Sequence, residues 1–148
     1  MQPIDLDDLY QDLILDHYRN PRNRRKLVQA DIDRLQYNPV CGDEIRIQLQ
    51  VRGGRIEEAS FSGGGCSISQ ASASMLTEAL QGKSLQEAKA IAARFRLLMQ
   101  GEPTDLDALG DLAALQGVSL YPVRIKCAVL AWDTLQEGVK QWEAAKGG

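Results

Sequence analysis

Apolar residues in the opening segment "DLDDLYQDLILDHYRNP" recur at helical spacing: Leu6, Leu9, Tyr10, Leu13, Ile14 and Tyr18 form one stripe. Asp5 stands where a cap belongs and Pro21 lies beyond the end, so a first amphipathic helix is predicted here. A basic link containing proline and asparagine follows. "EIRIQLQVRGGRIEEASFSG" then alternates polar and apolar residues on both sides of Gly53-Gly54, the pattern of a two-stranded hairpin with one wet face. In "SLQEAKAIAARFRLLMQG" the helical period returns. Ser84 and Glu87 are in capping-box register, Ala88, Ile91, Ala92, Phe95, Leu98 and Met99 make the stripe, and Gly101 closes it.

"EPTDLDALGDLAALQGVSLYP" is less regular. Thr104 and Asp107 can start a short helix, Gly110 and Gly117 interrupt it, and the stretch reads as an inserted lobe at about residues 101–121. From Pro122 onward Ala128, Ala131, Leu135, Val139 and Trp142 return at helical spacing, with proline suited to a first turn because its missing donor is not needed there. The chain is expected to end in a long helix. Helix, strands, then helices predict one α+β domain over residues 1–148, with helices collected on one face of a small antiparallel sheet.

A chain of 148 residues suffices for a single core. A net charge of -3 favours neither nucleic acid nor an anionic membrane surface, so no nucleic-acid or membrane partner is expected. The opening residues are acidic where a secretory signal would be basic and then apolar, which points to the cytoplasm. There Cys41, Cys66 and Cys127 stay mostly reduced, and an odd number makes a poor disulfide framework. Free thiols are thus available for metal or sulfur chemistry.

"NPVCGD" sets Cys41 and Asp43 two positions apart at the entrance to the first hairpin strand, where alternation puts thiol and carboxylate on one face, with Gly42 letting the backbone bend between them. "GGGCSIS" leaves Cys66 behind three glycines, open to close approach. "YPVRIKCAVLAW" carries Cys127 in the first turns of the last helix, whose positive end favours a thiolate, with Arg124 and Lys126 beside it. Three thiolates and a carboxylate are a sensible tetrahedral set for zinc, with a net charge that the two cations offset. The spacing matches no short zinc motif, and three separately buried cysteines fit the sequence as well.

Those three contexts, with the early "ILDHYRNPRN", resemble the IscU/NifU-N family of iron-sulfur cluster assembly proteins, and its SufU branch in particular. The resemblance spans nearly the whole chain. It implies a small antiparallel sheet of about three strands, with the cysteines and the aspartate gathered at one exposed end. It also implies two marks of the SufU branch: a lysine, here Lys126, where IscU-type scaffolds carry histidine, and an insertion between the second and third cysteines. Members of that branch are similar in binding zinc and accepting sulfur from a pyridoxal-phosphate cysteine desulfurase. By resemblance, Cys41, Asp43, Cys66 and Cys127 hold zinc, and Cys41 receives the persulfide sulfur with Arg124 and Lys126 in support. The expected partners are a SufS-like desulfurase and a downstream SufBCD-type scaffold, and the chain itself is expected to be a monomer or weak homo-oligomer. The alternative is a scaffold that assembles and transfers a [2Fe-2S] cluster on the same residues.

Among the remaining residues, His17 falls on the stripe of Tyr10 and Leu13 and reads as a packed or hydrogen-bonded side chain rather than a ligand. Arg19, Arg22, Arg24, Arg25 and Lys26 are either a solvated surface or a dock for an acidic patch on the desulfurase. Trp132 and Trp142 read as core.

Overall fold

The computed structural model describes residues 6–39 and 42–147, with side chains from Tyr10 to Lys146 within those ranges. Asp5 and Cys41 lie outside the described residues. Helix α1 (Leu6–Arg19) leads through the basic link to strand β1 (Ile32–Asn38), followed by β2 (Asp43–Arg52) and β3 (Arg55–Gly64). Helices α2 (Ser67–Leu80), α3 (Leu85–Met99) and α4 (Leu106–Leu109) come next, then a 3₁₀ helix (Gly110–Leu120) and α5 (Pro122–Gly147).

The three strands form one antiparallel sheet in the order β1-β2-β3. The hairpin β2–β3 turns at Gly53 and Gly54, both at positive φ, which is the turn whose twist matches the strands and which glycine adopts without a steric penalty. Alternation sends Ile45, Ile47 and Leu49 into the core and leaves Glu44 and Arg46 outside. The free edge of β3 is covered by the basic link: Arg25 N–H donates to Phe61 O at 3.0 Å, and Phe61 N–H to Asn23 O at 3.1 Å.

Helix α3 matches the sequence expectation residue by residue. Ser84 and Glu87 make the reciprocal capping box, and all six stripe residues are buried. Trp132 of α5 is fully buried and stacks on Phe95 with ring centroids 5.1 Å apart, while Trp142 is half-buried with Lys146 over its ring. In α1 the inward stripe is Tyr10, Leu13, Ile14 and His17; Tyr18, assigned to that stripe by spacing, lies at its margin and is 45% exposed.

Two elements escape the hydrophobic pattern. Strand β1 alternates only weakly, with Arg34 and Gln36 on its inner side, where Gln36 accepts a hydrogen bond from Thr134 of α5 at 3.2 Å. Helix α2 is buried nearly all round, and its serines and alanines give no polar-against-apolar contrast to read. Small residues let it lie close to α5, close enough for Ser72 Oγ to donate to Ala128 O at 2.6 Å. Gly138 does the same for α5 against β1, since a side-chain carbon there would meet Ile32 at 2.7 Å.

The segment read as an inserted lobe is part of the same core. Leu109, Leu112, Leu115 and Val118 are buried in the one hydrophobic cluster, and the cap of α4 is Asp105, whose carboxylate accepts from Ala108 N–H at 3.3 Å, rather than Thr104. The 3₁₀ helix runs directly into α5, whose first turn hydrogen-bonds back to the Tyr121 carbonyl. Among the described residues no helix is long and apolar enough to cross a membrane.

Candidate metal centre

The strand register sets Asn38 at the end of β1 opposite Asp43 at the start of β2, and both side chains are buried. Asp43 is the inward member of the strand's alternation, so an ionisable group begins a row otherwise filled by Ile45, Ile47 and Leu49. A fully buried carboxylate needs partners. It finds them at the far end of the hairpin: Cys66 N–H donates to Oδ1 at 2.8 Å, and Cys66 Sγ–H points to Oδ2 at 3.8 Å.

Glycine makes this approach possible. Gly63 has φ +117 and a side-chain carbon there would lie 2.0 Å from the Glu44 carbonyl oxygen; at Gly65, with φ +150, it would lie 2.2 Å from Oδ1 of Asp43. The glycine run before Cys66 thus admits the aspartate.

Cys66 is also the N-cap of α2. Its sulfur accepts the Ser69 N–H at 3.5 Å, and its carbonyl accepts the Ser69 hydroxyl at 3.1 Å. A second helix N-terminus thus bears on the centre, beside that of α5, in whose first turns Cys127 lies as expected. Cys127 sits deeper in α5, which begins at Pro122, and its thiol contacts the Val123 carbonyl one turn back at 3.7 Å.

One ligand atom from each of Asp43, Cys66 and Cys127 lies within 4.8 Å of the other two. Three elements distant in sequence thus converge at one end of the sheet, with Asp43 and Cys127 buried and Cys66 partly open. The donor set fits a divalent zinc-like ion: soft sulfurs and a hard oxygen, already facing one another across a gap an ion can span. Cys41 lies two positions from Asp43, outside the described residues.

Lys126 and Arg124 are exposed. Lys126 lines a groove with Tyr37, Asn38 and Asp133, and Arg124 lines another with Tyr10, Ile68 and Val118. His17 is fully enclosed and hydrogen-bonded, as its place on the stripe predicts. The basic cluster is largely engaged within the chain: Arg22 pairs with Asp16, Arg25 with Glu58, and Arg24 donates to Gly63 O at 2.8 Å. Two contributors were not singled out from sequence. Ser69 is one more serine in a serine-rich helix, and Asn38 closes a strand whose pattern is weak.

Residues 9–147 match the NifU-like N-terminal domain family. The chain is 48% identical over 139 residues to the zinc-dependent sulfurtransferase SufU of Bacillus subtilis (strain 168), covering 93% of this chain and 94% of that protein. It is 39% identical to the iron-sulfur cluster assembly scaffold protein IscU of Streptococcus pyogenes serotype M1, covering 92% and 86%. The crystal structure of FiSufU from Fervidobacterium islandicum AW-1 superposes with a TM-score of 0.83 at 31% identity, over 90% of this chain and 98% of that one. With matching sequence, fold and an aspartate–cysteine cluster where the motifs converge, the chain belongs to the NifU-like N-terminal domain family, alongside the SufU and IscU proteins.

Proposed function

We propose that this chain is a zinc-dependent sulfur acceptor in iron-sulfur cluster assembly, taking persulfide sulfur from a pyridoxal-phosphate cysteine desulfurase and relaying it to a SufBCD-type assembly machinery. The observation that carries the proposal is the convergence of Asp43, Cys66 and Cys127 within 4.8 Å at one end of the sheet. The resemblance to a zinc-dependent sulfurtransferase supports it. Cys41, Asp43, Cys66 and Cys127 would hold the ion. Bound zinc would keep thiols ionised at neutral pH and, being indifferent to redox state and tolerant of ligand exchange, release one without cost in electrons.

The residues of the chain account for the rest. Cys41 thiolate attacks the outer sulfur of the desulfurase persulfide; a new S–S bond forms to Cys41, the old one breaks, and the desulfurase cysteine leaves as a thiolate. The exchange needs no outside oxidant or reductant, because the sulfane sulfur that Cys41 gains is the one the desulfurase cysteine gives up. Asp43 is anchored by the Cys66 amide, so it stays in place when a neighbouring ligand departs. Lys126, exposed beside buried Cys127, supplies positive charge without acting as a ligand, because a charged ammonium has no lone pair. That favours sulfur relay over cluster building at this site.

The test is sulfide release by a SufS-like desulfurase mixed with the full chain. Cys41→Ala is expected to abolish the stimulation while leaving the circular dichroism spectrum unchanged. Undiminished stimulation refutes the role of Cys41, and rapid transfer of a reconstituted [2Fe-2S] cluster to an apo-ferredoxin would establish the scaffold reading instead.

A further inference from the structure

Toward the other end of α2 from its Cys66 cap, a second group of metal-competent atoms comes together. A ring nitrogen of His17 in α1, a Glu78 carboxylate oxygen of α2 and an Asp111 carboxylate oxygen of the 3₁₀ helix all lie within 4.8 Å of one another, with Nε2 the nitrogen that faces Asp111. The geometry points to a second divalent-metal site, of nitrogen and oxygen donors, that joins the 3₁₀ helix to α1 and α2.

The histidine is already oriented as a ligand would be. It is 0% exposed, with Nδ1 held by Ser74 Oγ at 2.8 Å and Nε2 aimed at Asp111 Oδ2, 3.0 Å away. Metal-binding histidines are held in this way, with the far nitrogen fixed by a neighbouring polar group. Ser74 Oγ accepts the Arg22 N–H at 2.8 Å and has a second lone pair that can accept from Nδ1–H, the tautomer that leaves the Nε2 lone pair for a metal.

The electrostatics balance. A neutral imidazole and two carboxylates around a divalent ion sum to zero, whereas without the ion two acids share one side of a buried ring. Arg22 partly offsets them through Glu78 at 3.6 Å, a long contact, but its guanidinium also donates to Asp16 at 2.6 Å and to the Asn20 carbonyl at 3.1 Å. Glu78 can therefore leave Arg22 without stranding it. Access is open from the acid side, since the Asp111 and Glu78 side chains are 44% and 48% exposed. Three protein ligands of this kind leave a position for water, as zinc accepts in open sites.

The order Ser74–His17–Asp111 also has the connectivity of a nucleophilic triad. It is not one here: Ser74 is fully buried and its oxygen already holds the Arg22 amide, so no substrate carbonyl can reach it.

The site is independent of the thiols, and the experiment keeps the two apart. Zinc(II) is titrated into the full chain with Cys41, Cys66 and Cys127 all replaced by serine. One zinc per chain is expected, and cobalt(II) in its place should give weak visible bands without the near-ultraviolet sulfur-to-metal absorption that the thiol site of the unaltered chain would give. Glu78→Gln, on an exposed side chain the fold does not need, should weaken binding at least tenfold, and so should His17→Gln. No zinc in the thiol-free chain, or binding that neither variant weakens, overturns the second site. Loss of the sulfur-to-metal absorption in the unaltered chain would overturn only the thiol site.

Discussion

Gly65 and Asp43 share one space: a side-chain carbon on Gly65 would lie 2.2 Å from the Asp43 carboxylate oxygen. The buried acid, its bond to the Cys66 amide and the position of the Cys66 sulfur thus depend on a residue that has no side chain. Gly65→Ala is expected to displace Asp43 and to add about 1–3 kcal/mol of backbone strain at a φ that other residues avoid. Zinc competition with a chromophoric chelator should show affinity at least tenfold weaker, with helix content near that of the unaltered chain. Unchanged affinity would refute the dependence.

Asp43→Asn separates charge from shape. The amide oxygen can still accept the Cys66 N–H, so the hairpin end should hold, while the anionic ligand is gone. Zinc affinity should fall by at least the ~10-fold that losing even an outer partner produces. Elemental analysis after dialysis against a weak chelator would read this as substoichiometric zinc, and full retention would remove Asp43 from the ligand set.

Removing zinc bound as proposed should leave the protein folded. Ile47, Leu49, Phe61, Phe95, Leu115 and Trp132 are buried in a core that owes nothing to the thiols. Far-ultraviolet dichroism in excess chelator is expected to keep its native form, with a lower melting temperature because a ligand that binds only the folded state has been withdrawn. Cooperative loss of helix on chelation would instead mark a structural zinc domain.

Leu115→Ala tests whether the segment between the second and third cysteines is core or appendage. Leu115 is fully buried in the main cluster. Its truncation should destabilise by about 3 kcal/mol, or a fall in melting temperature of about 6–12 °C for a chain of this size. A change of less than about 0.5 kcal/mol, the usual effect of a surface substitution, would contradict the packing.

Acid sensitivity should carry a small share from Asp33. The Arg46 guanidinium, bonded through Nε and Nη2 at 2.8 and 2.7 Å, holds the Asp33 carboxyl below its ordinary 3.8. A carboxyl lowered in the folded state adds stability above its unfolded value and loses it as pH falls through the folded one. Both side chains are more than one third exposed, so solvent screening keeps the contribution to about 0.5 kcal/mol or less. Urea unfolding of Asp33→Asn should show that deficit at pH 7, shrinking below about pH 4. A deficit unchanged at acid pH would rule out the ion pair as its source.

Helix α3 could be read from sequence because its cap, stripe and terminal glycine all agree, and the hairpin because Gly53-Gly54 interrupts a clean alternation. Helix α2 could not, since a helix buried on all sides by serine and alanine has no wet face to set its period. Strand β1 was hidden by the polar residues on its inner side, which are accommodated by partners such as Thr134, far away in sequence. For the centre, the sequence supplied Asp43, Cys66 and Cys127 as candidates; their meeting depends on strand register and on the path of α5, which spacing does not encode. The capping role of Cys66 was missed along with the helix it caps.

That cap has a use at the bench. The Ser69 amide nitrogen lies 3.5 Å from the Cys66 sulfur with its hydrogen aimed at it, so whatever that sulfur carries, a proton, a metal or an extra sulfur, alters what the amide sees. One backbone resonance is therefore a native spectroscopic gauge of loading at this end of the sheet, and it can be followed without attaching a label to any thiol.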